Sequence, residues 1–142
     1  MLTDIQRLQM LQTPTGPVDM ILDTDAYNEI DDQFAIAYAI AAKKLNLKAL
    51  YAAPFQNQLS TGPADGMEKS YQEILKLLGL MGREMPVFRG SNAFMANEKT
   101  PVDSPAVHDD GQSPPLIPCF TRMSNHTSGI NARIAPETAA AV

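Results

Sequence analysis

The stretch "VDMILDTDAYNEIDDQFAIAYAIAAKK", residues 18–44, joins an apolar run to an Ala-rich run through a loop crowded with acids. Val18, Met20, Ile21 and Leu22 read as a short buried strand. "DDQFAIAYAIAAKK" (31–44) is apolar on nearly every face and reads as a buried helix. Asp31 and Asp32 fall in its first turn, where free N–H groups and the helix dipole favour carboxylates, and Lys43 and Lys44 stand at the opposite pole. Between the two runs, Asp23, Asp25, Glu29, Asp31 and Asp32 place five acids within ten positions. Like charges this close repel, so a cation or a proton must sit among them.

Outward from this stretch the pattern repeats. "LKALYAAPF" (47–55) is a second strand candidate, stopped by Pro54. A Gly/Pro-bearing loop, "QNQLSTGPADG" (56–66), leads to a helix in which Met67, Tyr71, Ile74, Leu75 and Leu78 form one apolar stripe, with Gly79 and Gly82 at its end. "MPVFRG" (85–90) is a third, short strand. Strand–helix–strand–helix–strand predicts an α/β domain, an open and mostly parallel sheet with flanking helices. Ligands of such sheets bind beyond the carboxyl ends of the strands, and the acidic loop lies at such an end. The chain divides into an amino-terminal extension (1–17), this core (18–95) and a carboxyl-terminal segment (96–142). Residues 97–119 carry five prolines and no sustained period, and residues 117–142 show no convincing strand or amphipathic helix. The segment reads as degraded or poorly ordered.

The totals narrow the function. A chain of 142 residues with 44% apolar and 19% charged content is sized for one domain with a core. A formal charge of −5 and no basic cluster exclude a nucleic-acid-binding surface. The longest apolar stretch, residues 34–42, is too short to span a bilayer, and the amino terminus has no secretory pattern. Cys119 is the single cysteine, so no internal disulfide forms and a reducing cytoplasm is expected.

Three chemistries compete for the acids. A divalent-cation site needs oxygen ligands on a loop, and Asp25 leaving the strand and Asp32 entering the helix can converge on one ion. An EF-hand does not fit: counted from Asp23, the sixth position is Asn28 rather than Gly and the twelfth is Phe34 rather than Glu. An Asp-dependent phosphotransferase would use the Asp-x-Asp of "LDTDAY" with Asp23 as nucleophile, but it lacks the usual Thr/Val that follows and leaves Asp31–Asp32 without a role.

"ILDTDAYNEIDDQFAIAYAI" resembles the amino-terminal signature of the inosine/uridine-preferring nucleoside hydrolases, in which a strand ends in Asp-Thr-Asp-Pro-Gly and an Asp-Asp pair opens an apolar helix. The likeness continues through "LKALYAA", an Asn in the next loop, a long helix and "MPVFRGSNAFM", and covers residues 18–95. Further on, Ser124-Asn125 stands where the family has Thr-Asn. The sequence departs from the family in its longer "AYNEI" spacer and in lacking a counterpart to a carboxyl-terminal Asp and a nearby His. His108 and His126 lie in another part of the chain and read as exposed loop residues.

The resemblance implies the amino-terminal part of a Rossmann-type nucleoside hydrolase fold, Ca²⁺ as cofactor, and a ribonucleoside as substrate, cleaved to base and ribose. It makes Asp25 a metal ligand and the catalytic base, Asp32 a metal ligand, and Asp31 a catalytic partner of the ribose hydroxyls. Asp23 would orient these acids. Asn57 would contact the ribose, with Asn46 and Gln56 competing for that role, and Ser124 would offer a backbone carbonyl to the metal. Asp25, Asp32 and one carbonyl supply about four oxygens, short of the six to eight that Ca²⁺ prefers. The other reading is therefore a non-catalytic remnant or small-ligand-binding module of the same fold. A homo-oligomer is compatible with either. A half-domain of this kind leaves a sheet edge and part of the "FAIAYAIAA" helix uncovered.

Overall fold

The computed structural model describes residues 3–11, 15–97, 100, 102–109 and 131–134. In chain order the elements are α1 (Asp4–Met10), β1 (Val18–Thr24), α2 (Ile30–Ala41), β2 (Leu45–Ala52), α3 (Pro63–Leu80), β3 (Val87–Arg89) and β4 (Asn131–Ile134). The four strands form one sheet in the order β3-β2-β1-β4. β1, β2 and β3 are mutually parallel, each joined to the next through a helix, as the alternation of apolar runs predicts. The α/β class with an open, mostly parallel sheet is thus present.

Strand alternation divides the core in two. Met20, Leu22, Leu50 and Ala52 point to one face, where Ile36 and Ala39 of α2 and Met67, Ile74 and Leu78 of α3 pack on them. Ile21, Ala49, Tyr51 and Phe88 point to the other, and Ala106 covers them. That second face is fastened by the Tyr51 hydroxyl donating to Asp109 Oδ2 (2.9 Å) and by the Ala106 N–H donating to the Arg89 carbonyl (3.0 Å). A register shift between Met20 and Ile21 leaves Lys48 as the extra residue of β2, which keeps Leu47 on the helix-covered side and Ala49 on the other.

α3 ends as its glycines suggest. Gly82 takes φ +61°, and the N–H groups of Gly82 and Arg83 return to the carbonyls of Gly79 and Leu78 (3.2 and 3.0 Å). Gly79 itself lies inside the helix, in open space. Leu75, read as part of the buried stripe, is 40% exposed.

Several expectations are corrected. α2 is not buried all round: Asp32, Ile36 and Ala39 are buried, whereas Ile30, Phe34 and Tyr38 on the opposite side are 68%, 70% and 72% exposed. α2 also stops at Ala41, so Lys43 and Lys44 stand in the turn beyond it. The amino-terminal extension holds a helix, α1, closed by a capping box between Thr3 and Gln6. In the carboxyl-terminal segment, read as having no strand, β4 runs antiparallel to β1 and pairs Asn131 with Asp23 and Ile134 with Met20. A mostly apolar β1 edge with unpaired N–H and C=O groups supplies the reason: pairing satisfies them whatever the local propensity of "NARI".

Gly66 fixes the approach of α3 to the loop after β2. A side-chain carbon there would collide with the Phe55 carbonyl, and that carbonyl is backbone that cannot step aside. Gly66→Ala is expected to lower stability in urea unfolding by about 1–3 kcal/mol. Gly79→Ala, at a helical position with free space, is expected to raise it by about 0.4–1 kcal/mol. Equal effects at the two sites would contradict this packing.

Candidate functional site

β1 delivers Thr24 and Asp25 to the carboxyl end of the sheet, and the ladder to β2 carries on past the strand through Ala53 N–H to Thr24 O (2.8 Å). A turn closed by Asn28 N–H to Asp25 O (2.7 Å) then reverses the chain into α2. Asp32, in the first turn of α2, comes back over the end of β1. There the Thr24 hydroxyl donates to Asp32 Oδ1 at 2.6 Å. Thr24, Asp25 and Asp32 are all buried, with Asp32 fully so.

Asp25 is held on its other side. Asn28 Nδ2 donates to Asp25 Oδ2 (3.0 Å), and Asn57 Nδ2 donates to Asn28 Oδ1 (2.5 Å). Asn57 is in turn set by its own loop: its Oδ1 accepts the Leu59 N–H (2.7 Å), and the Ser60 hydroxyl bonds the Phe55 carbonyl (3.1 Å). The chain of contacts runs from the loop after β2 to the acid at the end of β1.

One oxygen of each carboxyl remains. Asp25 Oδ1 and Asp32 Oδ2 are buried and accept no hydrogen bond from any other group, and the proton that Asp25 retains bonds Asp32. Burial is the main cause that pushes the Asp25 carboxyl up to about 7, and the neighbouring Asp32 carboxylate adds to it. Burial likewise raises Asp32, against the pull of the Thr24 hydroxyl, and Asp31 and Glu29 nearby push in the same direction. Burial and mutual repulsion thus favour retention of a proton by the pair up to near neutral pH.

The predicted site residues fall into groups. Asp25 and Asp32 face one another; Asn57 reaches them through Asn28. Asp31 is exposed in the same helical turn. Asp23 is half-buried and, by strand alternation, sits on the sheet face opposite Thr24. Asn46 belongs to another place: its Nδ2 donates to Asp19 Oδ1 (2.5 Å), at the start of β1. Ser124 and His126 lie outside the described residues. His108 is exposed and contacts Asp103. Among the described residues no group of three or more His, Cys, Asp or Glu gathers at one point. Tyr27, two positions after Asp25, lines a cleft of about 220 Å³ walled by Glu68, Lys69, Gln72, Glu73 and Lys76. Its lysines are already paired with Asp65 and Glu73, so this cleft offers no uncompensated charge.

Sequence reasoning missed Thr24 and Asn28. Both follow from spacing: the residue before Asp25 must point toward the helix side of the sheet, and an Asn three residues after an acid, at the last position of a four-residue turn, can bond back to it. The donor set suits a dication. Two buried carboxyls each keep a free oxygen, and the other oxygens are fixed by neutral donors rather than by Lys or Arg. In comparisons with known proteins, the chain matches no family model, no curated protein and no solved structure.

The acid pair links folding to pH. Between the ordinary carboxylate value of 3.8 and about 7, folded Asp25 keeps a proton that the unfolded chain has released. The corresponding stability is whole below that window and is lost as pH rises through about 7. Without divalent cations, the stability obtained from urea unfolding should fall between about pH 5 and about pH 8, by at most about 3 kcal/mol. Asp25→Asn should flatten most of this slope; an unchanged slope in that variant would place the pH dependence elsewhere.

Proposed function

We propose that this chain is a divalent-cation-dependent hydrolase of the N-glycosidic bond of ribonucleosides, with Asp25 and Asp32 as its Ca²⁺ ligands. The observation that carries the reading is the buried carboxyl pair at the carboxyl end of β1, whose Asp25 Oδ1 and Asp32 Oδ2 take no hydrogen bond from any neighbouring donor and have only a proton between them. The likeness of residues 18–95 to the nucleoside hydrolases supplies the reaction.

A bound dication supplies Lewis acidity toward water and toward the vicinal hydroxyls of a ribose. Asp25 then acts as the base. Asn28 anchors its Oδ2 and leaves Oδ1 to hold the cation, and the Asp25 carboxylate would take the proton of the attacking water. Asp32, anchored by Thr24, contributes fixed negative charge and no proton transfer. Asp31, exposed in the first turn of α2, is the acceptor for a ribose hydroxyl. Asn57 holds Asn28, and through it Asp25; this makes it a positioning residue. Carboxylates arrayed around the sugar stabilise the oxocarbenium character of the transition state more than the neutral ground state.

One observation favours a second reading. Among the described residues the site has two carboxyls rather than three or more, which suits a module that binds a cation or small ligand without turning it over.

Ca²⁺ titration calorimetry on the full chain separates these readings. Binding is expected with release of protons near pH 6, detected in buffers of different ionisation heat and fading toward pH 8, because ligation displaces the proton on the acid pair. Asp25→Ala and Asp32→Ala should each abolish the heat. Release of reducing sugar from ribonucleosides by the wild type, lost in Asp25→Ala, supports the hydrolase. Binding without sugar release leaves the module. A folded chain with no binding at millimolar Ca²⁺ overturns the hydrolase and the cation-binding module alike.

A further inference from the structure

The outer side of α2 is as apolar as its inner side. Asp32, Ile36 and Ala39 face the core, while Ile30, Phe34 and Tyr38, spaced four residues apart, form a stripe on the opposite side that is roughly 70% exposed. Two aromatics and an isoleucine in a single row differ from the scattered apolar residues of an ordinary surface. The ends of the stripe are charged in opposite senses. Glu29 and Asp31 stand at its start, Lys43 and Lys44 just past its finish; all four are exposed, and none makes a salt bridge among the described residues.

We infer that this stripe is an interface between two copies of the chain, packed through antiparallel α2 helices about a two-fold axis. The inference stands independently of any reading of the acid pair. A two-fold contact must be self-complementary, and antiparallel pairing is the arrangement in which this helix complements itself. Centred at the level of residue 36, it sets Phe34 against Tyr38 of the second copy, and Tyr38 against its Phe34. The same register brings Glu29 opposite the other copy's Lys43 at both ends. A parallel pairing would instead put acid on acid and lysine on lysine. Ala35, Ala37 and Ala41 border the stripe and allow close approach of the two backbones. A 12-residue helix is about 18 Å long, so the contact falls at the small end of specific interfaces and the dimer depends on concentration.

Sedimentation velocity of the full chain across a wide concentration range tests this. The expected result is a shift from 15.4 kDa toward twice that mass. Phe34→Glu should raise the dissociation constant by about tenfold or more, and because Phe34 is exposed the variant should keep its circular dichroism and urea midpoint. Glu29→Lys and Lys43→Glu should each weaken association at low salt, and combining them should restore it. Three results would overturn the proposal. One is a monomer at every concentration. Another is a dimer indifferent to Phe34→Glu. The third is a monomer in which Phe34→Glu lowers the urea midpoint, showing that a segment of the same chain covers the stripe. The exposed Ile5, Leu8 and Leu11 of α1 are one such apolar segment.

Discussion

The hydrogen bond from the Thr24 hydroxyl to Asp32 is the constraint around which the carboxyl end of the sheet is arranged. It joins the last residue of β1 to the first turn of α2, and so fixes where the helix begins and which side it turns inward. It also draws a carboxyl into a site with no water-facing oxygen, directly beside Asp25. Without that bond Asp32 would have the ordinary preference of a helix-start acid, which is to face solvent near free N–H groups. The Asn57–Asn28–Asp25 relay serves the same end from the other strand, and Gly66 lets α3 come close enough to keep that loop in place.

A carboxyl pair of this kind is unfavourable for folding alone. Two buried acids cannot both ionise without a compensating charge, and the raised Asp25 value expresses that cost as a retained proton. The neighbours relieve it only in part, through the Thr24 hydroxyl and the Asn28 amide. Thr24 and Asn28 are neutral, and the nearby charged groups, Asp31 and Glu29, are of the same sign. A site built only for stability would replace one acid by an amide. Under the proposed function, a dication would ligate both carboxyls and remove the repulsion between them.

Much of this was legible in the chain itself. The three parallel strands and two long helices came from apolar runs and stripes whose lengths left little choice, and Asp25 and Asp32 stood out because they bracket the strand-to-helix turn. What escaped was non-local. β4 is set by an open edge of β1 rather than by its own residues, and no periodicity announces four residues such as "NARI". Thr24 and Asn28 carry no charge and so drew no attention, although they set the geometry of the charged pair. The capping box of α1 was readable in Thr3 and Gln6 and went unread because the helix is short. The exposure of Phe34 and Tyr38 lay partly within reach: an all-apolar helix needs cover on both sides, and this domain supplies it on one.

α2 is therefore held less firmly than its composition suggests. Of its twelve residues, Ile36 and Ala39 are the buried apolar anchors, and Asp32 is the third point of attachment. The link to α3 adds the Gln33 amide donating to Glu73 at 3.0 Å. Ile36 and Ala39, the partly buried Ile40 and a carboxyl under repulsion make a modest hold for a three-turn helix, since full burial of one large aliphatic side chain is worth about 1.5–3 kcal/mol. Whatever neutralises Asp32 strengthens the inner face, and whatever covers Phe34 and Tyr38 strengthens the outer one. Because both act on the same short helix, any species that binds its folded form at either face stabilises the geometry needed at the other by mass action. The acid pair and the apolar stripe thus meet on one short helix, whose inner face carries a buried acid and whose outer face is apolar and exposed.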